Sequence, residues 1–138
     1  MPYIHLLVFK PPPLWPPEAG HWALYLPFQQ GSWEGTVFGV QKKGLITRQT
    51  MLSRELFTAE IYSEVSRFVP LNIEVEEYYL SEACQSVTAN RPFHIKTANC
   101  QHWVCEVIEK LMETLDLPKA KDELERIKKE GHKLGEGS

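Results

Sequence analysis

The sequence predicts an α+β domain in which a small antiparallel sheet packs against a helix that carries a cysteine at its N-terminus. β-Rich apolar runs, separated by proline- and glycine-rich connections, occupy the first third of the chain. One long amphipathic pattern begins at Cys100, which indicates the helix. A length of 138 residues fits a single domain, and a content of 43% hydrophobic and 24% charged residues is ordinary for a globular protein.

Charge and composition exclude several classes of protein. A net charge of -3 argues against nucleic-acid binding, which usually needs a basic excess. No apolar run approaches the ~20 residues of a membrane span, and no secretory signal is visible, so we expect no integral membrane segment and a cytoplasmic location. Three cysteines do not suggest a disulfide framework. Neither a CxxC pair nor an HExxH motif is present, so no metal site is predicted.

The N-terminal strands are the clearest β elements. A strand is predicted over 3–10, followed by a stiff loop with five prolines between Lys10 and Gly20. Trp15 lies in that loop and either packs the loop onto the core or forms the rim of a binding cleft. The run 21–26 is apolar on both faces, which predicts a central strand. A third strand over 36–42 forms a hairpin with it.

The middle of the chain gives weaker patterns. We expect a strand over 45–51, a short helix over 53–56 and a strand over 59–69. Asn72 is a candidate N-cap for a helix over 73–88. The residues expected on the packed side of that helix are Val75, Tyr78, Tyr79, Ala83 and Val87.

A short strand over 93–95 should deliver the chain to the Cys100 helix. Asn99 is a good N-cap, and Cys100 shares a helix face with Val104, Val107 and Leu111. After Pro118 the sequence becomes strongly charged. It predicts a domain over 1–117, followed over 118–138 by a charged surface helix and a flexible tail.

Cys100 and His21 are the candidate catalytic residues. A helix N-terminus favours a thiolate, and an imidazole can take the proton of a thiol. The imidazole in turn needs a group that fixes its orientation, and the predicted hairpin places Gln41 near His21. A buried, inert cysteine would show the same local pattern, so a structural role stays open.

Two blocks, His21-Trp22-Ala23-Leu24-Tyr25 and Asn99-Cys100-Gln101-His102-Trp103-Val104, resemble the signature blocks of the lecithin retinol acyltransferase-like family. This family belongs to the permuted branch of the NlpC/P60 papain-like superfamily, in which histidine precedes cysteine in the chain. The resemblance implies a permuted papain-like fold, Cys100 as nucleophile and His21 as general base. It implies that no metal or organic cofactor is needed. The partner that it implies is a small-molecule or acyl substrate.

The sequence departs from the family at several points. A second histidine usually lies on the strand after His21, and here Gln41 is the candidate replacement. Gln101 replaces a glutamate, and the hydrophobic C-terminus of many animal members is absent. The weaker candidates for contacting a substrate are Trp15, Trp22, Asn99 and His102.

Three functions remain open. The first is cysteine-dependent acyl transfer or hydrolysis of an ester, thioester or amide through a covalent acyl-enzyme. The second is a catalytically inactive papain-like scaffold that binds a partner. The third is a cysteine peptidase or isopeptidase. The substrate and the oligomeric state do not follow from the sequence.

Overall fold

The computed structural model describes residues 2–10, 13–14, 20–29, 31–43, 49–89 and 100–129, without the side chains of 41–43 and 49–51. In these ranges the chain is α+β, with one antiparallel sheet of five strands and four helices. The strands are β1 (Tyr3–Phe9), β2 (Trp22–Pro27), β3 (Gly35–Lys43), β4 (Gln49–Leu56) and β5 (Val65–Glu74). The helices are α1 (Ala59–Glu64), α2 (Glu77–Thr88), α3 (Cys100–Thr114) and α4 (Ala120–Lys128).

The strand order in the sheet is β4-β3-β2-β1-β5. β2 is therefore the central strand, as its apolar residues on both faces predicted, and all six of its residues are buried. β2 and β3 form the predicted hairpin, with Leu24 opposite Phe38 and Tyr25 opposite Val37. The side chains of β2 alternate between the two faces of the sheet, and each face carries its own apolar cluster.

The main core lies between the sheet and the helices α2, α3 and α4. Trp22, Leu24 and Leu26 of β2 pack there with Trp103 and Val104 of α3, and all five are 2% exposed or less. A smaller cluster covers the other face of the sheet. Its buried residues are Leu7, Ala23, Tyr25, Val37 and Phe57, and Ile61 of the short helix α1 packs against them.

The C-terminal helix α4 is continuous with this core. Ala120, Leu124 and Ile127 are at most 4% exposed and belong to the main cluster. The buried Glu123 accepts a hydrogen bond from Asn72 Nδ2 (2.9 Å) and pairs with Arg126. The charged helix predicted after Pro118 therefore corresponds to α4. It exposes most of its charged side chains and packs its apolar residues into the same core as β5.

The strands predicted at the N-terminus and the helix from Cys100 are confirmed. The short helix predicted over 53–56 is wrong, because these residues belong to β4 and pair with β3. The predicted strand over 59–69 is in fact α1 followed by the start of β5. The predicted strand over 93–95 lies outside the described residues.

The helix predicted over 73–88 is shorter than expected. Asn72 lies within β5 and caps no helix, since α2 begins at Glu77. Tyr78 and Tyr79 were expected in the core, but they are 66% and 39% exposed because α2 turns Leu80, Ala83 and Cys84 toward the sheet instead. None of the described helices combines the length and apolar composition needed to cross a membrane.

Candidate functional site

The start of α3 is joined to the start of β2 by two hydrogen bonds. The backbone N–H of Trp22 donates to Cys100 Sγ (3.5 Å), and Nε2 of the buried Gln101 donates to the Gly20 carbonyl (3.2 Å). On the other side, Phe9 N–H donates to the His21 carbonyl (2.8 Å). Three consecutive residues, 20–22, are thus held in place. We call these residues, together with Cys100 and Gln101, the helix–strand junction.

Gly20 makes this arrangement possible because its neighbours leave no room for a side chain. A Cβ at this position would lie 2.0 Å from the Phe9 carbonyl oxygen, far inside van der Waals contact. The absence of a side chain lets β1 approach the chain immediately before His21.

Two effects oppose each other at the Cys100 thiol. Burial raises its pKa, while the backbone N–H groups of Trp22, Cys100 and Gln101 around the sulfur act to lower it. Burial is the larger effect, so the pKa lies above its ordinary value and the resting group is a neutral thiol at neutral pH. The N–H groups expected at the helix start are present, but the expected net preference for thiolate is not found.

His21 lies on the sheet face opposite to the main core. Its ring packs against Phe9 at a centroid distance of 5.5 Å, and its Nε2 would be 3.7 Å from a Cβ built on Gly39. The residue is exposed overall, yet the protein around the ring displaces enough water to lower its pKa. The imidazole is therefore neutral at neutral pH, which is the state a general base requires.

His21 and Cys100 meet at the same end of β2 but on different faces of the sheet. A cavity of about 360 Å³ is lined by His21, Ala23, Gly39 and Ser53, whereas the sulfur packs against the main core. Among the described residues, no hydrogen bond joins the imidazole to Sγ. The His21 Cα nevertheless lies within about 6 Å of the sulfur, because it is about 2.4 Å from the Trp22 nitrogen that contacts Sγ.

The other candidate residues have different environments. Trp22 is fully buried in the main core, so its side chain is not placed to contact a substrate. Gln41 lies in β3 opposite Met51, and extending the β2–β3 register places its strand position across from His21. The side chain of Gln41 lies outside the described part of the chain.

His102 is half-buried within the first turn of α3. Trp15 and Asn99, like the side chain of Gln41, fall outside the described residues. The structure therefore brings Cys100 and His21 to one end of β2 and leaves the predicted roles of these other residues as predictions.

Sequence reasoning did not assign a role to Gly20, Gly39 or the side chain of Gln101. In the sequence, Gln101 differs from the glutamate of the family that its block resembles; in the structure its amide bridges α3 and the residue before His21. A glycine directly before the His-Trp pair was a usable signal, since glycine is favoured where two backbones approach closely.

Comparison with protein-family models, with curated proteins and with solved structures found no match to this chain.

Proposed function

We propose that this chain catalyses acyl transfer or hydrolysis at an ester, thioester or amide carbonyl, with Cys100 as nucleophile and His21 as general base. The observation that carries the proposal is the hydrogen bond from the Trp22 N–H to Cys100 Sγ (3.5 Å). It holds the sulfur next to the residue that follows the histidine. The resemblance of both sequence blocks to the lecithin retinol acyltransferase-like family supports the same pair of residues.

The proposed reaction begins from a neutral thiol and a neutral imidazole. His21 takes the Cys100 proton as Sγ attacks the carbonyl carbon, and the carbonyl π electrons move onto oxygen. The tetrahedral intermediate collapses, the bond to the leaving group breaks, and His21 returns the proton to that group. Water or another nucleophile then attacks the thioester and loses its proton to His21. The thiolate leaves and takes that proton from His21, which restores the neutral pair.

This chemistry requires the His21 ring to turn from its cavity toward the sulfur. The motion involves the backbone of residue 21 as well as the ring, because the ring packs against Phe9 on the sheet face opposite the sulfur. Residue 21 directly precedes the first residue of β2. We propose Gln41 as the third catalytic residue, the neutral group that would orient the imidazole, on the basis of its strand register alone.

The first test is the rate at which iodoacetamide labels each cysteine near neutral pH, followed by mass spectrometry. We expect Cys100 to react fastest, and His21→Ala to slow its labelling by about tenfold or more because proton removal is lost. Cys84 and Cys105 serve as internal controls, since both are buried whereas Cys100 is partly exposed. Burial raises the pKa of all three thiols, that of Cys105 to about 12. Equal, slow labelling of all three cysteines would exclude the enzyme hypothesis.

A binding scaffold without catalysis is the second candidate. The observation that favours it is the separation of the His21 ring from the Cys100 thiol on opposite faces, together with the raised pKa of that thiol. An activated ester such as p-nitrophenyl acetate separates the two functions. The enzyme should form an acetyl adduct on Cys100 that His21→Ala forms more slowly, whereas the scaffold should form none. A peptidase would use the same residues, with a peptide bond as the substrate and the amine of the released fragment as the leaving group.

A further inference from the structure

A second cavity lies at the far end of α3 from the cysteine. It encloses about 520 Å³, within the range of small-molecule sites, and is bordered by the ends of β5 and α3 and the starts of α2 and α4. The 15 residues of α3 separate it from Cys100 by roughly 20 Å at 1.5 Å per residue. The cavity therefore does not belong to the proposed acyl-transfer site.

Two tyrosines form its aromatic wall. Tyr3 of β1 and Tyr79 of α2 both line the cavity and keep 38% and 39% of their surface exposed. Leu115 and Leu117, both half-buried, add apolar surface to the lining. The face of an aromatic ring attracts cations through its quadrupole, and the attraction strengthens where water is partly excluded. Tyrosines that line a cavity and stay partly exposed are suited to such a contact.

The charged side chains around the cavity also favour a positively charged ligand. Glu74, Glu76 and Asp116 line it, against the single ammonium of Lys119. α2 and α4 begin beside the cavity and α3 ends there, and such helix ends contribute only about half a charge each. The two helix starts and the one helix end together add about half a positive charge, which is less than the difference between three acidic side chains and one basic side chain in the lining.

From this combination of tyrosine rings, carboxylates and apolar surface we infer that the cavity binds a small organic cation, an alkylammonium group attached to a short apolar segment. The ammonium lies against Tyr3 and Tyr79 near the carboxylates, and the apolar segment contacts the half-buried Leu115 and Leu117. A free quaternary amine and the side chain of a peptide lysine share this chemistry.

Amide chemical-shift titration of the full chain tests the inference with three probes: choline, its neutral isostere 3,3-dimethyl-1-butanol, and Nα-acetyl-lysine amide. We expect saturable shifts at residues 3, 75, 79 and 117 with at least one cation and none with the neutral isostere. The tighter cation identifies the source, either a quaternary amine or a lysine side chain. Tyr79→Leu should weaken binding between about twofold and thirtyfold, the range of a cation–π contact.

Matched controls lie elsewhere on the surface. Tyr62→Leu removes a 61% exposed tyrosine outside the cavity, and Glu113→Gln neutralises an exposed carboxylate on α3. Both should bind like the unaltered chain, whereas Glu76→Gln should bind more weakly. Equal shifts with choline and the neutral alcohol, or saturable shifts with inorganic phosphate alone, would overturn the inference. The labelling of Cys100 is measured independently and does not depend on this result.

Discussion

At the scale of single residues, Gly20 and Gly39 both lie next to His21, but the absence of a side chain has a different effect at each of them. At Gly20, a Cβ would overlap the Phe9 carbonyl at 2.0 Å, so the backbone itself blocks substitution. At Gly39, the nearest atoms would be Ala23 Cβ at 3.4 Å and His21 Nε2 at 3.7 Å, which are ordinary contacts. The first glycine is required for packing, and the second leaves open space beside the imidazole.

We therefore expect Gly20→Ala to lower the free energy of unfolding by about 3 kcal/mol or more, because β1 must move away from residue 20. Gly39→Ala is the matched control and should change that free energy by less than about 1 kcal/mol. Urea denaturation followed by circular dichroism measures both. A Gly20→Ala variant as stable as the unaltered chain would show that the close approach to Phe9 is not needed.

At the scale of elements, α4 shows how a strongly charged segment becomes part of a core. Its apolar residues recur at positions 120, 124 and 127 on one face, and all three are buried against the rest of the domain. The carboxylate of Glu123 adds a polar attachment to Asn72 of β5, and Arg126 reaches the Pro70 carbonyl (2.7 Å). The helix is thus fixed to the edge strand by apolar and polar contacts together.

Ile127→Ala should accordingly lower the free energy of unfolding by about 2–5 kcal/mol, the usual result of removing a large buried side chain. Lys121→Ala, on the exposed side of the same helix, should change it by no more than about 0.5 kcal/mol. Thermal and urea unfolding provide the measurement. If both variants unfolded alike, α4 would not contribute to the main core.

At the scale of the whole molecule, buried titratable groups set the pH range of greatest stability. Burial lowers the pKa values of His5 and His21, so the unfolded chain binds more protons than the folded one when pH falls below about 6.5. Burial raises the pKa values of the three cysteines, so the unfolded chain loses protons that the folded one keeps as pH rises above about 9. Stability should therefore be lost on both sides of neutrality.

We expect the free energy of unfolding to be flat between about pH 7 and 8.5, to fall toward pH 5 and to fall again above pH 9. Urea denaturation at a series of pH values measures the curve. The double variant His5→Gln, His21→Gln should show a shallower slope between pH 5 and 7, while its alkaline slope stays unchanged. If the loss of stability between pH 7 and pH 5 were unaltered in that variant, groups other than His5 and His21 would cause it.

The sequence predicted the elements that depend on local patterns better than those that depend on contacts between residues far apart in the chain. The first three strands and α3 were predictable because their apolar periodicity is local. Asn72 was misassigned as a cap because its amide bonds Glu123, a residue 51 positions away, and Ser53–Leu56 became strand only by pairing with β3. The sequence predicted Cys100 and His21 as a catalytic pair and this stays a prediction; the sheet face occupied by the imidazole depends on which side of the sheet the helices cover.

The close approach at Gly20 also has a meaning for recognising distant relatives. Phe9, His21 and Gln101 all fix the backbone around this residue. The constraint can therefore be written as a sequence pattern with two halves. The first half is glycine directly before histidine and tryptophan, and the second, much later in the chain, is cysteine directly followed by a residue with a side-chain amide. A chain that folds into the same sheet and helix and satisfies both halves has the residues needed for the same junction. A chain that carries any other residue in the glycine position must separate its first two strands there.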